Sequence, residues 1–460
     1  MVASIPSSIS TPVFPPGPAG SGKLGCLPEM RQNPMVFLQK VAEQYGGIAR
    51  IDMGEYYSYL VSEPKLIKEV LVDNFDKYKK NTRYKQVRMV IGEGMLLSEG
   101  MVWKQQRTHA QPKFTAKALN TQLDWISRLA ARSIDSWKKY AEAGKPIELE
   151  YEFNLLTQLL AGVWVMGQGF EKRAETVADI YNQIRMNWPE MTDLKDSMLN
   201  PKNLKKAANF RRALMQLDRC VYELLEEYPS IMNEDIGFLK HLLAEGEDPA
   251  QWIRQNKRSL RDQVLTLFVT AFETTATSLC WTLYVIDQYP EVKQRITEEL
   301  KAVLGEQALT PELLNKLEYT EKVIKESLRL YSSVHSFSRV ALEDHLIGGY
   351  RVPKDTTVII SSYVTHRLAQ YWEEPDRFDP ERFDKKRSVG RSRFAYIPFA
   401  AGHRNCIGSH MALMQSKLVV ALIMQRYALS LTAGHVVEPQ AATTMRPKYG
   451  MKMDIRCLAA

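Results

Sequence analysis

Phe399-Ala-Ala-Gly-His-Arg-Asn-Cys-Ile-Gly408 places one cysteine between two glycines, two residues after an arginine and just ahead of a helix-like run. Glycine lets a backbone fold tightly around a group that must be approached closely. Cys406 then falls at or near a helix N-terminus, where backbone N–H groups favour a thiolate over a thiol. Arg404 adds a fixed positive charge suited to a carboxylate. Taken alone, the loop is either a buried cysteine in a glycine-rich turn or a thiolate held for a metal beside an anionic cofactor edge. The rest of the chain decides between them.

Downstream, residues 409–426 read as a helix, and alternating runs at 427–431 and 445–455 suggest a small β-hairpin. Upstream, residues 371–395 form a long stretch rich in proline and arginine, including Pro375-Asp-Arg-Phe-Asp-Pro-Glu-Arg-Phe383. An irregular stretch this long in a compact protein is usually functional. Before it, 342–350 and 357–364 read as strands around Gly348-Gly349, and Thr310-Pro311 opens a helix leading to Lys325-Glu-Ser-Leu-Arg-Leu330. Glu326 and Arg329 are three apart and share a helix face. They form either a weak surface pair or, with Arg382, a buried cluster that ties the irregular stretch to the helix.

Residues 117–305 read almost entirely as helix. The longest run, about 260–288, has an apolar middle that ends in Glu273-Thr-Thr275. A carboxylate inside an apolar helix is costly unless paired or used, and the hydroxyl beside it suits a proton relay. The alternative is a threonine bonded to a helix carbonyl beside a solvent-facing acid. Residues 187–203, punctuated by Pro189 and Pro201, break two helices as a surface lid or a plain connector. Trp103 and Arg107 lie four apart on a further helix, so an indole N–H and a guanidinium point from one face, as suits a shared carboxylate. Near the N-terminus, a helix at 34–46, strands at 48–53 and 57–61 and a helix at 64–72 imply a small mixed sheet.

The bulk composition narrows the class. The chain has 460 residues, 45% hydrophobic and 25% charged, as in ordinary globular proteins. Its net charge of +8 suits an acidic partner, and the signatures of nucleic-acid binding are missing. Five widely spaced cysteines do not make a disulfide framework and fit a reducing compartment. Residues 1–30 read as an irregular Pro/Gly/Ser-rich lead-in without a signal-peptide core, followed by a single domain over 31–460. The apolar run 155–166 is too short to span a bilayer. The expected fold is mainly α with a small β-rich lobe, and the expected location is the cytoplasm, without a transmembrane anchor.

In order along the chain, these motifs resemble those of the cytochrome P450 superfamily of haem-thiolate monooxygenases, over about residues 34–456. Phe399, Gly402, Arg404, Cys406 and Gly408 match its ligand loop, Glu326 and Arg329 its Glu-x-x-Arg, Arg382 the arginine that follows, Trp103 and Arg107 its Trp-x-x-x-Arg, and Glu273 and Thr274 its acid–alcohol pair. The chain departs from the pattern at Ala271, where glycine is common, at Met411, and at Ser332-Ser333, where many relatives have two prolines. The resemblance implies the P450 fold with a long central helix over haem b, Cys406 as axial thiolate, and Trp103, Arg107, Arg339 and Arg404 as clamps on the haem propionates. Phe399 would pack against the sulfur beside Gly408, Glu273 and Thr274 would carry protons, and Glu326, Arg329 and Arg382 would be structural.

The implied reaction inserts one oxygen atom from dioxygen into a small hydrophobic molecule: a fatty acid, a terpenoid or a steroid-like compound. Met95, Leu96, Leu97, Ala271, Val334, Phe337 and Thr443 are the candidate substrate lining, and His335 and Ser336 are candidates to orient a polar group. Electrons would come from an acidic ferredoxin or flavodoxin with its reductase, docking on Lys104, Lys113 and Lys117. The rival readings are a haem-thiolate peroxygenase or isomerase, and a non-catalytic haem ligand-binding protein.

Overall fold

The computed structural model describes residues 13–80, 84–188, 201–231, 237–242, 248–305 and 307–458. Residues 1–12 of the expected lead-in and most of the expected lid at 187–203 lie outside them. The chain is mostly helical with small sheets, and it divides into two compact units.

One unit comprises residues 1–81, 334–377 and 388–406. Its five-stranded sheet runs Ile48–Asp52, Tyr57–Val61, Thr357–Ile360, Phe337–Ala341 and Tyr78–Lys80. Thr357–Ile360 pairs parallel to Tyr57–Val61, Ser58 opposite Thr357, and the other pairings are antiparallel. Alternation along the strands separates two cores. Tyr59 and Val61 pack with Val358, Ile360 and Ile397, whereas Ala49, Ile51 and Leu60 pack against Leu38 and Val41 of the helix Pro34–Tyr45. Asn33 caps that helix by accepting from the Val36 N–H at 3.2 Å.

Three expectations change here. The lead-in contains a turn of helix at Gly22–Leu24 and a helix at Leu27–Gln32, the latter with proline in its first turn. The strand expected over 342–350 is instead two short strands, His345–Ile347 and Tyr350–Val352, hairpinned about Gly348-Gly349. The strand from Thr357 stops at Ile360, because the Ser361 hydroxyl caps a short helix, Ser362–Thr365, by accepting from the Val364 N–H.

The other unit comprises residues 82–333, 378–387 and 407–460. Its central helix runs from Pro249 to Gln288, with Asp248 as N-cap and proline at N1. Leu260, Val264, Leu265, Phe268 and Phe272 join one large core with residues from the helices Leu149–Met166, Ala174–Met186, Pro201–Ile231, Glu318–Leu330 and Ser409–Arg426. The central helix is long and apolar enough to cross a membrane by length and composition, and 72% of its apolar window is buried inside the protein. The start of the helical stretch is three short helices, Ala116–Asn120, Leu123–Asp135 and Lys138–Glu142. A three-stranded antiparallel sheet orders Ile147–Glu148, Lys452–Cys457 and Tyr427–Leu431.

Candidate active site

The cysteine loop is closed by its own backbone. The Cys406 N–H donates to the Phe399 carbonyl at 2.8 Å, Asn405 N–H to Gly402 at 3.2 Å and Ala400 N–H to Ile397 at 3.1 Å. Gly402 has φ +74°, and a Cβ there would lie 2.2 Å from the Leu71 carbonyl oxygen. Only glycine permits both the left-handed backbone and that approach. Ala400 also sits at positive φ, +54°, a strained state for a side chain and one that concentrates at functional loops. The result is Cys406 on a loop closed by its own backbone, outside any disulfide. Gly408 is the N-cap of the helix Ser409–Arg426, so the cysteine lies just ahead of that helix N-terminus.

Arg404 and Phe399 of the same loop are half-buried. Arg339 is buried on the strand Phe337–Ala341, with its guanidinium 5.2 Å from the Phe337 ring and one N–H on the Ser338 carbonyl. In the other unit, Trp103 and Arg107 share the helix Gly100–Ala110, both half-buried, and Arg107 Nε donates to Gln111 at 3.1 Å. A protein thiolate with an arginine two residues before it, as Cys406 has Arg404, suits a metal whose other ligands come from an anionic macrocycle.

On the central helix, the Thr274 hydroxyl donates to the Thr270 carbonyl four residues back, at 2.9 Å. This is the helix-bonded alternative for Thr274. Glu273, in contrast, is half-buried, and both its carboxyl oxygens are bonded within the protein. Its carboxyl accepts from the Tyr181 hydroxyl at 2.8 Å and from the Thr444 hydroxyl at 3.3 Å. Burial pushes the Glu273 carboxyl above its usual range, against those two donors and the nearby Arg185 and Arg446 cations. Burial and the neighbouring Glu273 hold the Tyr181 phenol well above its ordinary value, so it stays a donor. Sequence reasoning missed Tyr181 and Thr444. Thr443, its candidate, is exposed, whereas Thr444 is buried.

Ser333 is buried, and its hydroxyl donates to the Thr274 carbonyl at 2.8 Å while its own carbonyl accepts from the Met445 N–H at 2.9 Å. Ser332 is also buried. His335 Nδ1 lies 3.1 Å from the Ser336 hydroxyl. Met95 and Leu96 are half-buried and Leu97 is buried, on a turn fastened to the central helix. The Glu93 N–H donates to Asp262 at 2.9 Å, the Thr266 hydroxyl to the Ile91 carbonyl at 3.2 Å, and a Cβ on Gly94 would meet Thr266 Oγ1 at 2.0 Å. Ala271 and Phe337 are half-buried, and Val334 is 37% exposed.

Glu326, Arg329 and Arg382 come together as a buried cluster. Arg329 forks onto Glu326 at 2.7 and 2.8 Å, Arg382 Nε reaches it at 3.3 Å, and the Asp379 N–H adds a bond at 2.9 Å. All three side chains are at most 3% exposed.

Comparison with known proteins agrees with this geometry. The family model for Cytochrome P450 matches residues 15–454. Carotene epsilon-monooxygenase, chloroplastic, of Arabidopsis thaliana is 27% identical over 91% of this chain and 81% of its own length. Putative cytochrome P450 132 of Mycobacterium tuberculosis is 27% identical over 85% and 86%, and cytochrome P450 4V2 of Mus musculus 30% over 78% and 72%. A crystal structure of a cytochrome P450DA mutant haem domain matches with a TM-score of 0.85 over 97% of this chain and 98% of that one; at 21% identity this likeness concerns the fold. The chain belongs to the cytochrome P450 family: it is a haem monooxygenase, with a cysteine thiolate on the iron, that takes dioxygen, a substrate and electrons from a redox partner.

Proposed function

We propose that Cys406 is the thiolate ligand and that this enzyme hydroxylates a small hydrophobic molecule. The observation that carries the ligand assignment is the closed loop Phe399–Cys406, fixed by its own backbone bonds and by the close approach at Gly402, with its cysteine outside any disulfide. Arg404, Arg339, Trp103 and Arg107 would hold the haem propionates through charge-assisted hydrogen bonds. Phe399 and Gly408 would shape the surroundings of the sulfur. When bound, the haem supplies dioxygen activation, which a thiolate ligand assists by donating electron density. Glu273 and Thr274 hold and pass the protons that the reaction consumes.

The substrate class, a fatty acid, terpenoid or steroid-like compound, is supported by the apolar candidates Met95, Leu96, Leu97, Ala271, Val334 and Phe337. The carotene named for one relative is of this apolar kind. Electrons come from a separate acidic ferredoxin or flavodoxin. The exposed Lys104 and Lys117 and the half-buried Lys113 support that polarity. The proposed place of work is the cytoplasm.

The test is a spectrum of the reduced protein under carbon monoxide. A strongly red-shifted Soret band is expected, and Cys406→Ala abolishes it. A Cys406→Ala protein that keeps the band would sink the ligand assignment. Spin-state titration with a fatty acid, a terpenoid and a steroid then selects the substrate class.

A further inference from the structure

The Glu273 carboxyl has both oxygens engaged, and neither bond comes from Thr274. Tyr181, on the helix Ala174–Met186, donates to Oε2 at 2.8 Å; Thr444, just ahead of the strand Met445–Pro447, donates to Oε1 at 3.3 Å. The Thr274 hydroxyl is bonded to Thr270 instead. The place of the Tyr181 hydroxyl is fixed by packing. Its ring meets Phe272 edge-on, 4.7 Å between centroids and 86° between planes, and the residue is only 8% exposed. Phe272 immediately precedes Glu273, so the contact that seats the ring also seats the hydroxyl opposite the acid. Three charged groups surround this pair. Arg185, one turn beyond Tyr181, bonds Glu150 at 2.8 Å, and Arg446 stands 4.0 Å from the same Glu150.

We propose that Tyr181 is a positioning residue for the reaction: its hydroxyl parks the Glu273 carboxyl away from the Thr274 hydroxyl, so that proton delivery requires the Tyr181 bond to break. This rests on the reading of Glu273 and Thr274 as the proton relay. A phenol that stays protonated is suited to the task, since it always donates and cannot take the proton from the acid. The parking is a hydrogen bond to an ionisable group, stronger than a neutral one but breakable.

Tyr181→Phe keeps the ring and its contact with Phe272 and removes only the hydroxyl. Two readouts on the haem-loaded protein test it. The first is infrared difference spectroscopy across pH, following the carboxyl band that Glu273→Gln deletes. Loss of a donor that favours the carboxylate should keep this band to higher pH in Tyr181→Phe. The second is dioxygen consumption driven by a surrogate ferredoxin and its reductase. Its pH profile should move the same way, and the rate should rise up to about tenfold, the worth of one such hydrogen bond. Glu273→Gln should lower the rate by about a hundredfold, and the double variant should match Glu273→Gln alone.

A Tyr181→Phe protein with the parental band and pH profile, or with a lowered rate, overturns the inference while leaving the relay intact. A double variant that differs from Glu273→Gln overturns it too, because Tyr181 would then act other than through the acid. A Glu273→Gln protein with the parental rate and profile overturns the relay reading itself.

Discussion

The cysteine loop and the acid of the central helix each hold one side chain in place, by opposite means. The loop works with near neighbours: Cys406 is tied to Phe399, seven residues away, and Asn405 to Gly402. Glu273 is held by groups 92 and 171 residues distant in the chain, Tyr181 and Thr444. A device built from neighbours leaves a signature in the sequence. One built from afar leaves only a helix residue that looks misplaced. The Glu326 cluster stands between the two, with one arginine three residues away and another fifty-six away.

That intermediate case gives the largest effect on stability. Glu326→Ala would leave Arg329 and Arg382 buried without their shared carboxylate, and it would strip the Asp379 N–H of its acceptor. Removing one partner of a buried ion pair costs about 3–5 kcal/mol. The expected outcome is a large fall in the denaturation midpoint or in the yield of folded protein. Glu326→Ala as stable as the parent would mean that the cluster is spare, and that residues 378–387 are held by their other bonds, among them Glu381 to Arg295 and Lys322.

How much was legible follows from the same contrast. The helical bulk, the β-rich lobe, the tight turn around Cys406 and the Glu326–Arg329–Arg382 set could all be read, because hydrophobic period, turn residues and motif spacing are local quantities. The order of the five-stranded sheet could not, because Thr357–Ile360 inserts beside Tyr57–Val61 from three hundred residues away. Ser333 was legible only as a departure from a common proline; that its hydroxyl reaches the Thr274 carbonyl, 59 residues back, was not. That Thr444 rather than its neighbour Thr443 is buried and bonds Glu273 was not legible, since alternation in a short strand-edge segment does not reveal which face is buried.

The next prediction concerns pH. Burial raises the Glu273 carboxyl, so folding favours its protonated form. The stability linked to that proton is fully present below the carboxyl's unfolded value and is lost as pH rises through the higher folded one. Glutamine is neutral throughout. Glu273→Gln is therefore expected to be at least as stable as the parent near pH 8, with the gap closing as pH falls toward 5, read by thermal unfolding at each pH. A variant less stable than the parent at pH 8 would show that the bonds from Tyr181 and Thr444, with Arg185 and Arg446, outweigh the burial. The acid would then be a fixed structural anion, unsuited to releasing and regaining a proton.

The smallest effect belongs to Ser333. Its hydroxyl bond to the Thr274 carbonyl joins the end of the helix Glu318–Leu330 to the acid–alcohol turn, and its carbonyl holds Met445, next to Thr444. Ser333→Ala removes the first bond and keeps the second, at a cost of about 1 kcal/mol in the denaturant midpoint. Ser333→Pro, which restores the residue common in relatives, loses the same donor. If Ser333 only braces the helix, both variants lose stability and keep the parental pH profile of dioxygen consumption. If the profile moves in both, Ser333 belongs with Tyr181 and Thr444 among the distant groups that set the acid. The contrast with the self-contained loop would then be sharper, because a third segment of the chain would be needed to hold the proposed proton relay.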